Sequence, residues 1–249
     1  MSCCIEIPEN VSAECIQNLQ ELVSSVRNCI VHKARRTHSN IELEMRLGNV
    51  TPNGTFCSDI GELSWMRIMS AMDASSDWTK KHEPLEIIDF FYTHDIEGKQ
   101  ENIRTSRFIK ENKIVCEHIV KKNEKKISLE ITGIPNLLNN IRVAFNTETV
   151  IDKEFLPDIT STSCVRIKHR KSYEWNNWRY DLTKVWSAPT YAAATRMRDD
   201  VKKHTTYEIE MELQRSDVYF GKVSHTDEYI AISLLLKVIG LLPKHINII

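Results

Sequence analysis

Apolar and acidic residues alternate strictly in two segments far apart along the chain, "IELEMRL" at 41–47 and "YEIEMEL" at 207–213. A period of two is the mark of a strand whose faces differ in chemistry. The same alternation, less strict, predicts strands over 86–94, 102–110, 113–121, 126–132, 141–151, 164–175, 178–186 and 205–215, about nine in all and mostly antiparallel. Asn176-Asn177, Asn123-Glu124 and Glu111-Asn112 suit tight hairpins between them. A period near 3.6 recurs elsewhere: Cys15, Ile16, Leu19, Leu22, Val23, Val26 and Ile30 predict a helix over 11–31 with Ser12 as N-cap. Leu63, Met66, Ile68 and Met69 predict a second over 60–74, its methionine stripe packed into the core. A third is predicted over 227–240, ended by Gly240. This is an α+β pattern, and its strand number suits a barrel or a strongly curved sheet.

The strands segregate charge by face. Glu208, Glu210 and Glu212 share one side of their strand, with Tyr207, Ile209, Met211 and Leu213 on the other. In "VRIKHRKSY" Arg166, Lys168 and Arg170 share a face, and in "WRYDLTKV" Arg179, Asp181 and Thr183 oppose Trp178, Tyr180 and Leu182. One reading makes these the solvated outer faces of an ordinary sheet. Like charges aligned along one strand repel, however, and a merely soluble surface intersperses its signs, as Lys121 to Lys126 does. The other reading turns the barrel inside out, with charged faces lining a cavity and apolar faces turned toward the helices. Carboxylates there would bind a hard divalent cation such as Mg²⁺ or Mn²⁺, while Arg and Lys would clamp phosphate oxygens.

Composition adds limits. The chain has 249 residues, 41% hydrophobic and 27% charged, with a formal net charge of −1, so any polyanion site must be local rather than global. Without a linker-like or repetitive stretch, one domain over 1–249 is expected. Seven cysteines, at 3, 4, 15, 29, 57, 116 and 164, show no CxxC pair and read as reduced thiols in an intracellular protein. The apolar run at 229–242 is interrupted by Lys237 and is too short to span a bilayer. No His/Cys spacing suggests zinc, and His118 and His169 read as bystanders.

The ordered motifs resemble the fungal, protozoan and viral mRNA-capping RNA 5′-triphosphatases of the triphosphate tunnel metalloenzyme superfamily. Glu42-Leu43-Glu44 is similar to their first ExE strand and Glu208-Ile209-Glu210-Met211-Glu212 to their last. Between them, Arg104 in "NIRTS" falls on a phosphate-binding arginine and Glu130 in "KISLEI" on a strand glutamate. Lys168 and Arg170 fall on a KxR motif, and Arg179, Asp181 and Thr183 on RxDxT. The chain departs at Arg46, where the related adenylate cyclase and thiamine triphosphatase branch favours lysine, and at Leu47, where fungal members tend to carry an aromatic residue.

The resemblance implies a closed, antiparallel, eight-stranded β-barrel flanked by helices. Glu42, Glu44 and Glu212 would hold Mg²⁺ or Mn²⁺, with Glu208 and Glu210 supporting; Arg104, Lys168, Arg170 and Arg179 would bind phosphate; Glu130 or Glu210 would orient the attacking water; and Asp181 and Thr183 would tie neighbouring groups in place. The implied reaction removes the γ-phosphate from 5′-triphosphate RNA, the first step of mRNA cap formation, with hydrolysis of nucleoside triphosphates in Mn²⁺. No KxDG motif is present, so a separate guanylyltransferase is the expected partner. A monomer without membrane attachment, acting in the nucleus, is expected from that chemistry. The alternatives are a general nucleoside, inorganic or thiamine triphosphatase with the same tunnel, and a non-catalytic polyanion-binding module.

Overall fold

Eight long antiparallel strands close on one another in the computed structural model, which describes residues 12–33, 39–130, 140–152, 162–200, 205–214, 226–234 and 236, with the backbone alone at 29–33, 39 and 127–130. In chain order the elements are α1 (Ala13–Lys33), β1 (Ser39–Val50), β2 (Phe56–Cys57), α2 (Glu62–Ala74), β3 (Lys80–Lys81), β4 (Leu85–Ile96), β5 (Lys99–Lys110), β6 (Lys113–Glu130), β7 (Asn140–Val150), β8 (Cys164–Trp175), β9 (Trp178–Ala188), α3 (Tyr191–Asp199) and β10 (Thr206–Leu213). A further helical segment covers 227–234. Strands pair in the order β10-β9-β8-β4-β5-β6-β7-β1, and β1 pairs back to β10. Closure removes the unpaired edges an open sheet would leave.

Three turns set the hairpins. Glu97-Gly98, both at positive φ (53° and 80°), and Glu111-Asn112, at 51° and 60°, join β4–β5 and β5–β6 with the backbone twist that two-residue hairpins favour. Asn176, at φ 54°, turns β8 into β9. The hairpin expected at Asn123-Glu124 does not form: β6 runs unbroken from Lys113 to Glu130, and its register against β7 slips between Asn123 and Lys125. A bulge takes the extra residue there, and the Thr147 hydroxyl donates to Glu124 across the slip, at 2.7 Å.

The hydrophobic core lies outside the barrel. Ser12 caps α1, its hydroxyl accepting from the Cys15 amide at 3.1 Å. Leu19, Leu22, Val23 and Val26 of that helix pack with the outward residues of β1 (Leu43, Met45, Leu47), β7 (Ile141, Val143, Phe145) and β10 (Ile209, Met211, Leu213). Asp227 ties the 227–234 segment to α1 through Arg27 (2.5 Å) and Ser24 (2.7 Å). The predicted end of this last helix at Gly240 lies outside the described residues. In α2 the periodicity overstates the core: Trp65, Ile68, Ala71 and Met72 are buried, but Leu63 and Met66 are 65% and 48% exposed. That helix rests on the barrel by one narrow face, so apolar residues on its flank stay in solvent.

The helix α3 was not among those predicted. Thr190 caps it by accepting from the Ala193 amide at 3.3 Å, and Ala194 packs against Val165, Ile167 and Trp186. No described helix is long and apolar enough to cross a membrane.

Candidate active site

The inward side chains settle which face is which. Glu44, Glu208, Lys168, Asp181 and Asp89 are each at most 7% exposed, although the opposite faces of their strands are largely apolar. The charged faces line a tunnel, and the barrel is inside out.

Strand register sets like and opposite charges side by side along its wall. Across the seam between β1 and β10, Glu44 faces Glu212 and Arg46 faces Glu210. Across β10 and β9, Glu208, Glu210 and Glu212 face Thr183, Asp181 and Arg179. Ion pairs then link groups along one strand and between near neighbours in the barrel. Arg46 reaches Glu210 at 2.6 Å and Glu44 at 3.3 Å. Arg170 reaches Asp181 at 3.0 Å and Glu210 at 3.5 Å. Arg179 bridges Glu212 and Asp181, and Arg166 places one nitrogen 2.9 Å from both oxygens of Glu208. Ser172 and Ser58 complete the shells of Asp181 and Glu208, donating at 2.7 and 3.0 Å.

Three tunnel residues were not anticipated as members of the site. Lys121, read from sequence as part of an ordinary mixed-sign surface, contacts Glu42 and lies 3.2 Å from Glu44 and 3.7 Å from Glu148. The reading fails because Lys121 pairs with Glu148 across β6 and β7, which puts it on the inward face. Glu148 also meets Arg104 at 3.3 Å. Asp89 pairs with Lys168 and accepts from Ser106 at 2.7 Å. Glu148 had a legible signal, since "NTETV" places it two residues beyond Asn146, which donates to Glu42 at 3.1 Å. Asp89 sits in an apolar run, and its partner on β8 becomes visible only once register is known. Glu130 pairs by its backbone with Asn140, and its side chain lies outside the described ones.

Electrostatics divide the carboxylates. Burial pushes Glu42 up to about 7; Lys121 opposes this, while Glu44, Glu148 and Glu212 add repulsion. Glu212 is raised in the same way by burial, against Arg179, with Asp181 and Glu148 adding to it. For Glu210 burial is overcome by Arg46, Arg170, Lys168 and Arg166, and the carboxyl is held far below its usual range. Burial lowers Lys168 to about 8, against the pull of Asp89.

Buried donors are left over on the same wall: among the described residues, Nε of Arg46, Arg104 and Arg170 and the Thr183 hydroxyl have no hydrogen-bond partner. Such groups are costly unless something accepts from them. The donors suit the oxygens of a polyphosphate. The mutually repelling, oxygen-only set of Glu42, Glu44 and Glu212 suits a hard divalent cation. No three described acidic, His or Cys side chains converge on one point, however; they turn instead to Lys121, Arg46 and Arg179.

A closed barrel with facing acidic and basic walls and unspent guanidinium donors defines a tunnel-type phosphohydrolase fold. Residues 53–228 match the family mRNA capping enzyme, beta chain, and the chain belongs to that family. Its fold is similar to that of the S. pombe RNA triphosphatase Pct1, with TM-score 0.65 and 16% identity over 97% of this chain and 94% of Pct1. Pct1 in complex with the Spt5 CTD gives TM-score 0.64 and 15% identity over 97% and 96%. The RNA triphosphatase domain of a trifunctional mimivirus mRNA capping enzyme gives TM-score 0.56 and 18% identity over 94% and 99%. No curated protein matches the sequence. The family match begins after β1, so Glu42 and Glu44 join the site through strand register, not through the matched stretch.

Proposed function

We propose that this chain hydrolyses the γ-phosphate of 5′-triphosphate RNA, giving 5′-diphosphate RNA and phosphate, the first step of mRNA cap formation. The observation that carries this reading is the set of unpartnered Nε donors of Arg46, Arg104 and Arg170 inside a closed, oppositely charged tunnel. Together with Lys168 and Arg179 they bind the triphosphate and face the charge that builds on its oxygens as the bond to the γ-phosphate breaks. Glu42, Glu44 and Glu212 hold Mg²⁺ or Mn²⁺, with Glu208 and Glu210 supporting. When bound, the cation supplies charge neutralisation at the phosphate.

Among the carboxylates proposed to orient the attacking water, Glu210 is held ionised by Arg46 and Arg170, which suits fixing those guanidiniums better than taking a proton. Glu148, between Arg104 and Lys121, is a further carboxylate of the same wall. Asp181 braces Arg170 and Arg179, and the Thr183 hydroxyl adds a donor to the wall. Because phosphate contacts dominate, nucleoside triphosphates are substrates as well, in Mn²⁺. The protein acts as a monomer in the nucleus beside a separate guanylyltransferase.

Phosphate release from 5′-triphosphate RNA, measured with the divalent cation omitted and restored, tests the reading. Release only with the cation supports it, and none under either condition overturns it.

A further inference from the structure

A cavity of about 420 Å³, lined by Phe91, Asn102, Arg104, Lys121, Cys164 and Arg166 among others, opens beside the charged tunnel. Small-molecule sites run from ~300 to 1,000 Å³. Three of these residues are tunnel cations: Arg104 and Lys121 both meet Glu148, and Arg166 meets Glu208. The rest of the lining has a different chemistry. Phe91 presents a half-buried aromatic ring, and Asn102, whose amide oxygen accepts from Thr93 at 3.1 Å, keeps its N–H donors for a ligand.

The ring stands on a barrel strand rather than on a loop. Phe91 faces Arg104 across β4–β5 and Cys164 across β4–β8, and its carbonyl accepts from the Ser163 amide and hydroxyl at 2.8 and 3.0 Å. The backbone that carries the ring is therefore held before any ligand arrives.

An inorganic triphosphate needs only the cations. An aromatic surface beside them, with amide donors at its rim, fits a molecule that joins a polyanion to a flat heteroaromatic ring. We infer that this cavity holds the first nucleoside of the substrate, its base stacked on Phe91, and that it favours triphosphates carried on a nucleoside over the free inorganic chain. This rests on the proposed triphosphatase reading of the tunnel. Stacking on an aromatic side chain is tolerant of base identity, so the cavity selects a nucleotide end without selecting a sequence.

The test compares kcat/KM on 5′-triphosphate RNA, ATP and tripolyphosphate for wild-type protein, Phe91→Leu and Phe91→Tyr, with melting temperatures alongside. Leucine keeps the apolar volume and removes the π face. Phe91→Leu is expected to cut the ratio of nucleotide to tripolyphosphate kcat/KM by roughly tenfold, chiefly through KM, and Phe91→Tyr to restore it. Cys164→Phe, which fills the cavity from the neighbouring strand, is expected to lower the same ratio and carries the comparison if Phe91→Leu fails to fold. Equal losses on all three substrates, or an unchanged ratio in folded variants, would overturn the inference and leave the activity standing. Wild-type protein that turns over none of the three removes the activity reading, and the inference with it.

Discussion

Replacing Arg170 by lysine separates geometry from charge in the phosphate grip. The guanidinium meets Asp181 at 3.0 Å and Glu210 at 3.5 Å, and its Nε is buried without a partner. An ammonium can keep the contact with Asp181. It cannot also span to Glu210 and present a planar pair of donors to a phosphate. Glu210 stays paired through Arg46 at 2.6 Å, so no buried carboxylate is stranded and the fold should survive. The loss is then one charge-assisted hydrogen bond to substrate, about 1.5–3 kcal/mol, or roughly 10- to 100-fold in kcat/KM. Steady-state kinetics on 5′-triphosphate RNA and on tripolyphosphate, with a thermal melt, measure it. Both substrates should suffer alike, because the contact is to phosphate. A folded Arg170→Lys protein with kcat/KM within twofold of wild type on both would refute the clamp.

The remaining expectations concern the carboxylates and Lys168. Glu42→Gln should abolish turnover yet hold or raise Tm, because it relieves repulsion with Glu44, Glu148 and Glu212; full activity at limiting metal would sink the ligand assignment. Glu44→Ala and Glu212→Ala should likewise remove activity while circular dichroism stays native. Asp89→Asn removes the carboxylate that keeps the buried Lys168 charged and should lower Tm, by no more than the roughly 10 °C that about 3–5 kcal/mol for a broken buried pair implies, and an unchanged melt would show that the pair is idle. Because burial lowers Lys168 to about 8, its positive charge is present below that pH and lost above it. In the free enzyme kcat/KM should therefore fall as pH rises through about 8, and Lys168→Arg should abolish this alkaline limb; a limb that persists belongs to another group.

The alternation in 41–47 and 207–213 made two acidic strand faces legible before any fold was known, and "VRIKHRKSY" did the same for the basic one. A two-residue period shows that faces differ. Which face is inside emerges only from closure, where Glu44 and Lys168 come out buried behind apolar outer walls. Lys121 was misread for a local reason: "KKNEKK" has the mixed charges of a surface and the Asn-Glu of a turn, and a bulge leaves no compositional trace. The Ala-rich α3 had a readable start at Pro189-Thr190 but too short an apolar stripe to stand out. Leu63 and Met66 follow a helical period, yet period alone does not say how wide a face the barrel covers.

The seam between β1 and β10 is held by three register pairs, whereas β1 meets β7 through ten. It joins strands from opposite ends of the described chain, so the loop entropy of bringing them together is among the largest any pairing in the barrel must overcome. That seam also carries the acidic part of the site, Glu44 against Glu212. Closure and function are therefore linked: the carboxylates meet only when the barrel ladder with the fewest register pairs is formed. A local opening there would split the barrel lengthwise and dismantle the site while most secondary structure stays intact. A ligand gripping both strands would act as a clasp on the whole fold.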